Sequence, residues 1–203
     1  MKLYDAAPAP NPRRVRIFLA EKGISVPVEQ IDIMSMQHKT PEYTAINPLQ
    51  RMPALVLDDG SVIAESIAIC RYFEVLQTEP ALFGVGADEI ARVEMWNRRA
   101  ENHFFATVAA VFRHLHPAMK TLEVPQVPDW GEANKPRVAS FLELLERELA
   151  TREFLAGDRF SVADITALVA YDFMKPARLA VPENFTNLRR WHAAVSARPS
   201  ARA

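Results

Sequence analysis

Cys70 is the only cysteine in the chain, which excludes an internal disulfide, a paired-cysteine redox motif and a cysteine-built metal cluster. No run of about 18 apolar residues occurs, so no membrane-spanning helix is expected. The opening MKLYDAAPAPNP has one lysine and no continuous apolar region, and it does not read as a signal peptide. Neither sign of charge dominates, because 24 basic and 25 acidic residues leave a formal net charge of -1. The chain as a whole therefore has no electrostatic pull toward nucleic acid or an acidic membrane, and neither is an expected partner. Internal repeats and low-complexity tracts are also missing. These absences read as a cytoplasmic protein. What is present is 203 residues, 49% of them hydrophobic, enough to bury the core of one large domain or two small ones.

Up to about residue 77, short strand-like and helix-like pieces alternate. KLYD reads as a strand, and NPRRVRIFLAEKG as a complete helix with Asn11 as N-cap, Pro12 at the first helical position and Gly23 just past the end. Val15, Phe18, Leu19 and Lys22 mark its inner stripe, the lysine by its stem. VPVEQID reads as a second strand and TPEYTAI as a short helix ending before Asn47 and Pro48. ALVL and VIA flank Asp59 and Gly60, a dipeptide that tolerates the positive φ angles of a hairpin turn. ESIAICRYFEVL then resumes helical spacing, which completes the signature of a small mixed sheet with helices packed on it.

TEPALFGVGA, residues 78–87, reads as a linker, and residues 88–203 as an all-helical domain with helices near 88–115, 135–151, 161–174 and 185–197. Residues 117–134, which include Pro117, Pro125 and Pro128, read as a long lid or binding loop. The fold class is α+β, with a mixed domain over residues 1–77 followed by the helical one.

The stretch QRMPALVLDDGSVIAES concentrates binding potential. Pro53 pushes Met52 into extended geometry and stands where a ladder donor is dispensable, so Met52 presents its own N–H and C=O at a free edge. Proline also makes a cis bond accessible there. Glu65 and Ser66 open the next helix, whose first N–H groups attract a carboxylate while Glu65 can take an ammonium group. A ligand with a peptide backbone and an α-amino acid head satisfies all three features. Read alone, these residues fit a plain strand start and helix cap equally well.

Taken together, QHKTPEYTAINP, RMPAL and AESIAICRY, followed by a helical half, resemble the cytosolic glutathione transferases over essentially the whole chain. The resemblance implies a thioredoxin-like, glutathione-binding first domain and a helical domain carrying the hydrophobic-substrate site. It implies glutathione as co-substrate, no further cofactor or metal, a role in detoxification, and a homodimer. By it Met52 bonds the cysteinyl backbone of glutathione, Pro53 is the cis proline, and Glu65 with Ser66 holds the γ-glutamyl group. His38 and Lys39 reach the glycine carboxylate, and Arg51 faces the ligand. GDRFSVADI resembles the family's helix-capping box, with Ser161 and Asp164 as its pair and Phe160 stapled onto Ile165; this motif is structural, and Asp replaces the usual Glu or Gln.

Glutathione chemistry needs a thiolate, and a free thiol near pKa 8.5 or above is mostly protonated at neutral pH. In the family's serine classes the stabilising hydroxyl lies five residues before the arginine of an RV pair, which here is Ala9. Tyr4, slightly too early in the first strand for the tyrosine classes, is a disfavoured alternative, and no serine or cysteine precedes Ser25. The segment APNPRRVR, without a catalytic hydroxyl, resembles that of the yeast Gtt2-like group and its bacterial relatives. That resemblance implies a thiolate held by the first helix's N-terminus and by water bound through the helical domain. Asn11 is the nearby donor, and Thr107 and His114 are the candidate water holders.

Arg13, Arg14 and Arg16 are cations at the unfavourable end of that helix, and one is expected to pair with an acid in the helical domain. Phe104, Val108 and Val111 recur at spacings of three and four and are expected to line the hydrophobic-substrate site. His114 and His116, two apart on a helix, point to different faces and lack a third ligand, so no metal is expected. The leading reading is an enzyme conjugating glutathione to hydrophobic electrophiles. The alternative is a glutathione-binding carrier or interaction scaffold. A glutathione-dependent isomerase is disfavoured because APAPNP lacks that group's Ser-Ser-Cys run. DEIARVEMWNRRAENHFF is the expected dimer surface, with Met95 and Trp96 as apolar area and Arg99 or Glu101 near the partner's cleft.

Overall fold

The KLYD segment forms strand β1, Lys2–Asp5, in a computed structural model that describes residues 1–203. Helix α1 is Pro10–Lys22, β2 Val28–Gln30, α2 Pro41–Ile46, β3 Ala54–Val56, β4 Val62–Ala64 and α3 Ser66–Leu76. The sheet runs in the order β2-β1-β3-β4, with β1 and β2 parallel and the other two pairs antiparallel. This is the thioredoxin-like arrangement that the resemblance implied. The hairpin between β3 and β4 closes around Gly60, whose φ of 84° needs a residue without a Cβ.

The chain divides into two units, residues 1–81 together with 199–203, and residues 82–198. The second unit consists of α4, Gly86–Arg99, a π-helical turn at Ala100–Phe105, α5, Ala106–Leu115, α6, Pro128–Glu148, α7, Val162–Phe173, and α8, Thr186–Ser196. Every residue from Val162 to Ala170 is buried, Asp164 and Thr166 included, which puts this helix in the middle of the core. No helix of the chain is long and apolar enough to cross a membrane.

Several expectations need correcting. Helix α1 starts at Pro10 with Ala9 as its N-cap, so Asn11 lies inside the first turn. Pro10 has the preorganised φ of a first helical residue, and the Ala9 N–H is already turned back onto the Ala6 carbonyl at 2.8 Å. Lys22 buries its charge as well as its stem. Its ammonium donates to the carbonyls of Gln77, Thr78 and Pro80 at 2.7, 3.2 and 2.6 Å and pairs with Glu74 at 2.6 Å.

The last five residues, expected with the helical half, belong to the first unit. There Arg13 donates to the Ala201 carbonyl at 3.0 Å and the Ser200 hydroxyl bonds Glu21. The segment expected as a loop over 117–134 is shorter, because α6 begins at Pro128 and proline suits a first helical turn. Trp96, expected to offer apolar area at a dimer surface, is instead buried, with the Arg99 guanidinium 5.0 Å from its ring centroid.

The helix expected over 88–115 is interrupted by the π-helical turn. The Thr107 hydroxyl lies at 2.8 Å from both the His103 and Phe104 carbonyls and supplies a donor within that widened stretch.

The capping box is present. The fully buried Asp164 carboxylate accepts from the Ser161 N–H and hydroxyl, both at 3.0 Å. It also accepts from the Leu155 N–H and the Trp191 indole, both at 2.9 Å. Burial pushes this carboxyl up and the four donors pull it back. Asp164→Ala strands buried donors worth about 1–3 kcal/mol each. The expected result is a loss of about 3 kcal/mol or more in urea-unfolding free energy; a loss below about 1 kcal/mol would show that the box is dispensable.

Candidate functional site

The backbone before β3 is held by bonds to a single carbonyl. The Arg51 carbonyl accepts from the Tyr43 hydroxyl at 2.7 Å and from the Asn47 amide at 2.8 Å. Burial pushes the Tyr43 phenol up to about 12, so it remains a donor at any working pH. The Met52–Pro53 bond is cis, and Met52 has no hydrogen-bond partner within the protein for its N–H or C=O. The β3–β4 register, with Ala54 opposite Ala64, brings Pro53 alongside Glu65.

Two of the chain's four non-glycine residues at positive φ flank this stretch: Gln50 at 55°, two residues before Met52, and Glu65 at 68°, just past β4. Such residues cost roughly 1–3 kcal/mol each and cluster at functional sites. Glu65 is the residue immediately before α3 and lies exposed, whereas the next residue, Ser66, is buried and accepts from the Arg14 guanidinium at 3.1 Å. That bond occupies a lone pair of the Ser66 oxygen and leaves its hydrogen available to a ligand.

His38 is 5% exposed, and its Nδ1 has no hydrogen-bond partner. Burial, and then the Lys39 and Arg51 cations, push its imidazole down, so it is neutral at pH 7. Lys39 and Arg51 are exposed. Six of the expected binding residues thus stand in one unit, at strand and helix ends, with Pro53 between them.

The N-terminus of α1 belongs to the same neighbourhood, because Ala9 packs against the buried cluster of Tyr4, Ala6, Ile31, Tyr43, Met52 and Ala54. Tyr4 is part of that core, with its ring edge-on to Tyr43 at 6.0 Å. Prolines at 8, 10 and 12 have no N–H to offer. The Ala7 N–H goes to Gln30 at 3.0 Å, the Ala9 N–H to Ala6 and the Arg13 N–H to Ala9. Asn11 carries the one backbone donor from Ala7 to Arg13 without an acceptor. Arg16 pairs with Asp5 of β1 at 2.7 Å.

Thr107 and His114 lie in the other unit. His114 accepts the Val127 N–H on Nδ1 at 3.1 Å, which puts the proton of its neutral form on Nε2. Phe104, Val108 and Val111 are 0%, 0% and 1% exposed, so they build the helical core, and the expectation that they line a substrate surface is corrected. Sequence reading missed an open groove of about 530 Å³ in this unit, lined by Asn102, His103, Thr107, Arg137, Phe141 and Leu144 among others. It missed the Tyr43 and Asn47 anchors too, although an asparagine just after a short helix and before a proline was a signal for one. No group of His, Cys, Asp and Glu residues is arranged to hold a metal ion.

A thioredoxin-like unit with a cis proline just before β3, which is an inner strand rather than the free edge expected, joined to an all-helical unit, defines the glutathione transferase architecture. Residues 1–74 match the model for the glutathione S-transferase N-terminal domain, and residues 104–199 that for the C-terminal domain. The chain belongs to the glutathione S-transferase family and is an enzyme of that kind. It is 36% identical to glutathione S-transferase 2 of Saccharomyces cerevisiae over 100% of its own length and 88% of that protein's. The crystal structure of Gtt2 from that yeast superimposes with a TM-score of 0.95, covering 100% of this chain and 99% of that one. A glutathione S-transferase domain-containing protein of Marinobacter aquaeolei, 42% identical, also gives 0.95, covering 98% and 99%. A class Gtt2 enzyme of Vibrio parahaemolyticus, 35% identical, gives 0.87 with 98% and 94% covered.

Cys70, one turn into α3, is fully buried, and burial pushes its thiol up to about 12 despite the opposing Arg14 charge. It is expected to resist a disulfide probe in the folded enzyme at pH 8 and to react completely once unfolded. Rapid stoichiometric labelling of the native protein would contradict this burial.

Proposed function

We propose that the enzyme conjugates the thiolate of glutathione to hydrophobic electrophiles in detoxification, with the thiolate held at the N-terminus of α1 rather than by a Tyr, Ser or Cys side chain. The observation that carries this reading is the composition of residues 6–13. They supply no hydroxyl or thiol, while Asn11 keeps a free N–H at the positive end of a 13-residue helix. Asn11 is the donor from this unit, and Thr107 and His114 are the residues of the helical unit proposed to hold a water. Helix dipole and fixed donor act together, since a preorganised donor costs no reorganisation during attack.

Met52 pairs with the cysteinyl backbone as an added strand would. Pro53 shapes that stretch, Glu65 and Ser66 take the γ-glutamyl head, and His38, Lys39 and Arg51 meet the glycine carboxylate. The unpartnered His38 nitrogen and the bare Met52 backbone support this assignment.

Ala9 in place of a hydroxyl favours a second reading, a glutathione-binding carrier with little chemistry. The pH dependence of bound glutathione's thiolate absorbance separates the two. A pKa well below the solution value of about 8.5 or above supports catalysis, and an unshifted one supports the carrier.

Glu65 allows folding and binding to be tested apart. Glu65→Gly removes a strained φ and the ammonium partner together. It is expected to leave stability unchanged or raised by about 1 kcal/mol while weakening glutathione binding by about 1–3 kcal/mol. Unchanged affinity for immobilised glutathione in both Glu65→Gly and Ser66→Ala would remove the γ-glutamyl assignment.

The enzyme is further proposed to work as a two-fold homodimer in the cytoplasm through α4, where Ile90 and Met95 are exposed, and the turn after it, where Glu101 is tied to Arg98 at 2.6 Å. Light scattering at micromolar concentration is expected to give twice the chain mass. A fully active monomer would overturn the dimer as a requirement.

A further inference from the structure

The β1–α1 junction is built from residues too small to set their own geometry. Between Asp5 and Asn11 the chain reads Ala-Ala-Pro-Ala-Pro, and Ala7 and Pro8 are exposed, so side-chain packing contributes little to the position of these two residues. The peptide groups on both sides of Ala7 are nevertheless held, each by a side chain from another element. The Ala7 N–H donates to Gln30 Oε1 at 3.0 Å, and the Ala7 carbonyl accepts from Arg16 Nη2 at 3.0 Å.

The two holding residues meet on one carboxylate. Gln30 Nε2 donates to Asp5 Oδ2 at 2.6 Å, and Arg16 Nη1 donates to Asp5 Oδ1 at 2.7 Å. Asp5 is 1% exposed, a burial that favours a carboxylate with both oxygens bonded. The result is a closed network of strand, junction and helix, in which the edge strand β2 and the second turn of α1 grip the same residue.

We propose that Gln30 and Arg16 are positioning residues for glutathione conjugation: acting through the two peptide groups of Ala7, they fix the start of α1 and so aim the Asn11 amide. The proposal rests on the reading that the thiolate is held at this helix N-terminus. Its chemical motive is the proline pattern. With a single backbone donor left between Ala7 and Arg13, a misaimed first turn has no neighbouring amide to take over, and hydrogen bonds weaken steeply with angle. Neither side chain needs to touch glutathione.

Gln30 is exposed on an edge strand, so Gln30→Ala is compatible with folding. Arg16→Lys keeps a cation for Asp5 but loses the planar fork that reaches Asp5 and Ala7 together. For both variants the expected outcome is a kcat about tenfold lower and a bound-thiol pKa about one unit higher, the size of a modest misplacement. KM for glutathione should stay within about twofold, since glutathione's recognition lies elsewhere. Glu29→Ala, at the neighbouring strand position, should match the wild type in all three readouts.

Variants with wild-type kcat and thiolate pKa overturn the proposal while leaving the parent reading intact. A change confined to KM, or to thermal stability, also overturns it, because a merely structural role would produce that pattern. A wild-type enzyme that leaves the bound thiol at its solution pKa overturns the parent reading and the proposal together.

Discussion

The bond from the Arg14 guanidinium to the Ser66 hydroxyl, 3.1 Å long and entirely buried, is the interaction on which the candidate site turns. Arg14 is 0% exposed, and taking a guanidinium out of water costs several kcal/mol unless its donors find acceptors. Helices α1 and α3 pack against each other, and this bond links the early turns of one to the first residue of the other. The two helix N-termini assigned to glutathione's thiol and to its γ-glutamyl head are therefore coupled through one charged side chain. A conservative lysine at position 14 would lack the rigid fork that lets a buried arginine satisfy more than one acceptor.

Around that bond the site is made mainly of backbone. Met52 offers its own amide and carbonyl, Asn11 its amide, and the chain between α2 and β3 is pinned at the Arg51 carbonyl by Tyr43 and Asn47. Gln50 and Glu65 at positive φ flank the same segment, and the strain they store is tolerated because surrounding bonds over-determine the loop. Such construction suits a peptide ligand, which is recognised by strand-like pairing. On the proposed reading it also accounts for the lack of a catalytic hydroxyl or thiol near α1: the chemistry asked of the protein would be to favour one proton loss from a bound thiol, which an aimed dipole and donor can do.

The elements legible in the sequence were those set by local rules. The hairpin at Asp59 and Gly60, the short helix after Thr40, whose hydroxyl caps it, and the box at Ser161 and Asp164 all follow from a few neighbouring residues. What was not legible depended on partners far along the chain. Lys22 reads as a half-exposed stripe residue until the carbonyls of Gln77, Thr78 and Pro80 arrive to bury its charge. Helical periodicity put Phe104, Val108 and Val111 on one face correctly, but it cannot distinguish a core from a cleft, and burial assigns them to the core. The π-helical turn carries no periodic signal because it breaks the period. The proposed binding residues come from resemblance in motif, whereas Tyr43, Asn47 and Gln30 bond backbone groups of other residues, which a motif does not record.

Proline spacing ties these observations to the reaction. Three prolines at alternate positions before and within the first turn of α1 remove donors from the end of a helix that would ordinarily offer several. A helix that lost them all would keep its dipole but have nothing to point at an anion; this one keeps a single amide, at Asn11. Fewer donors also means fewer competing poses for a bound sulfur, so selectivity of position is gained where strength is given up. The balance holds only if the remaining amide is well aimed. Under the proposed thiolate assignment, that requirement would shift part of the control of thiolate chemistry from the residue beside the sulfur to the network that holds the junction in place.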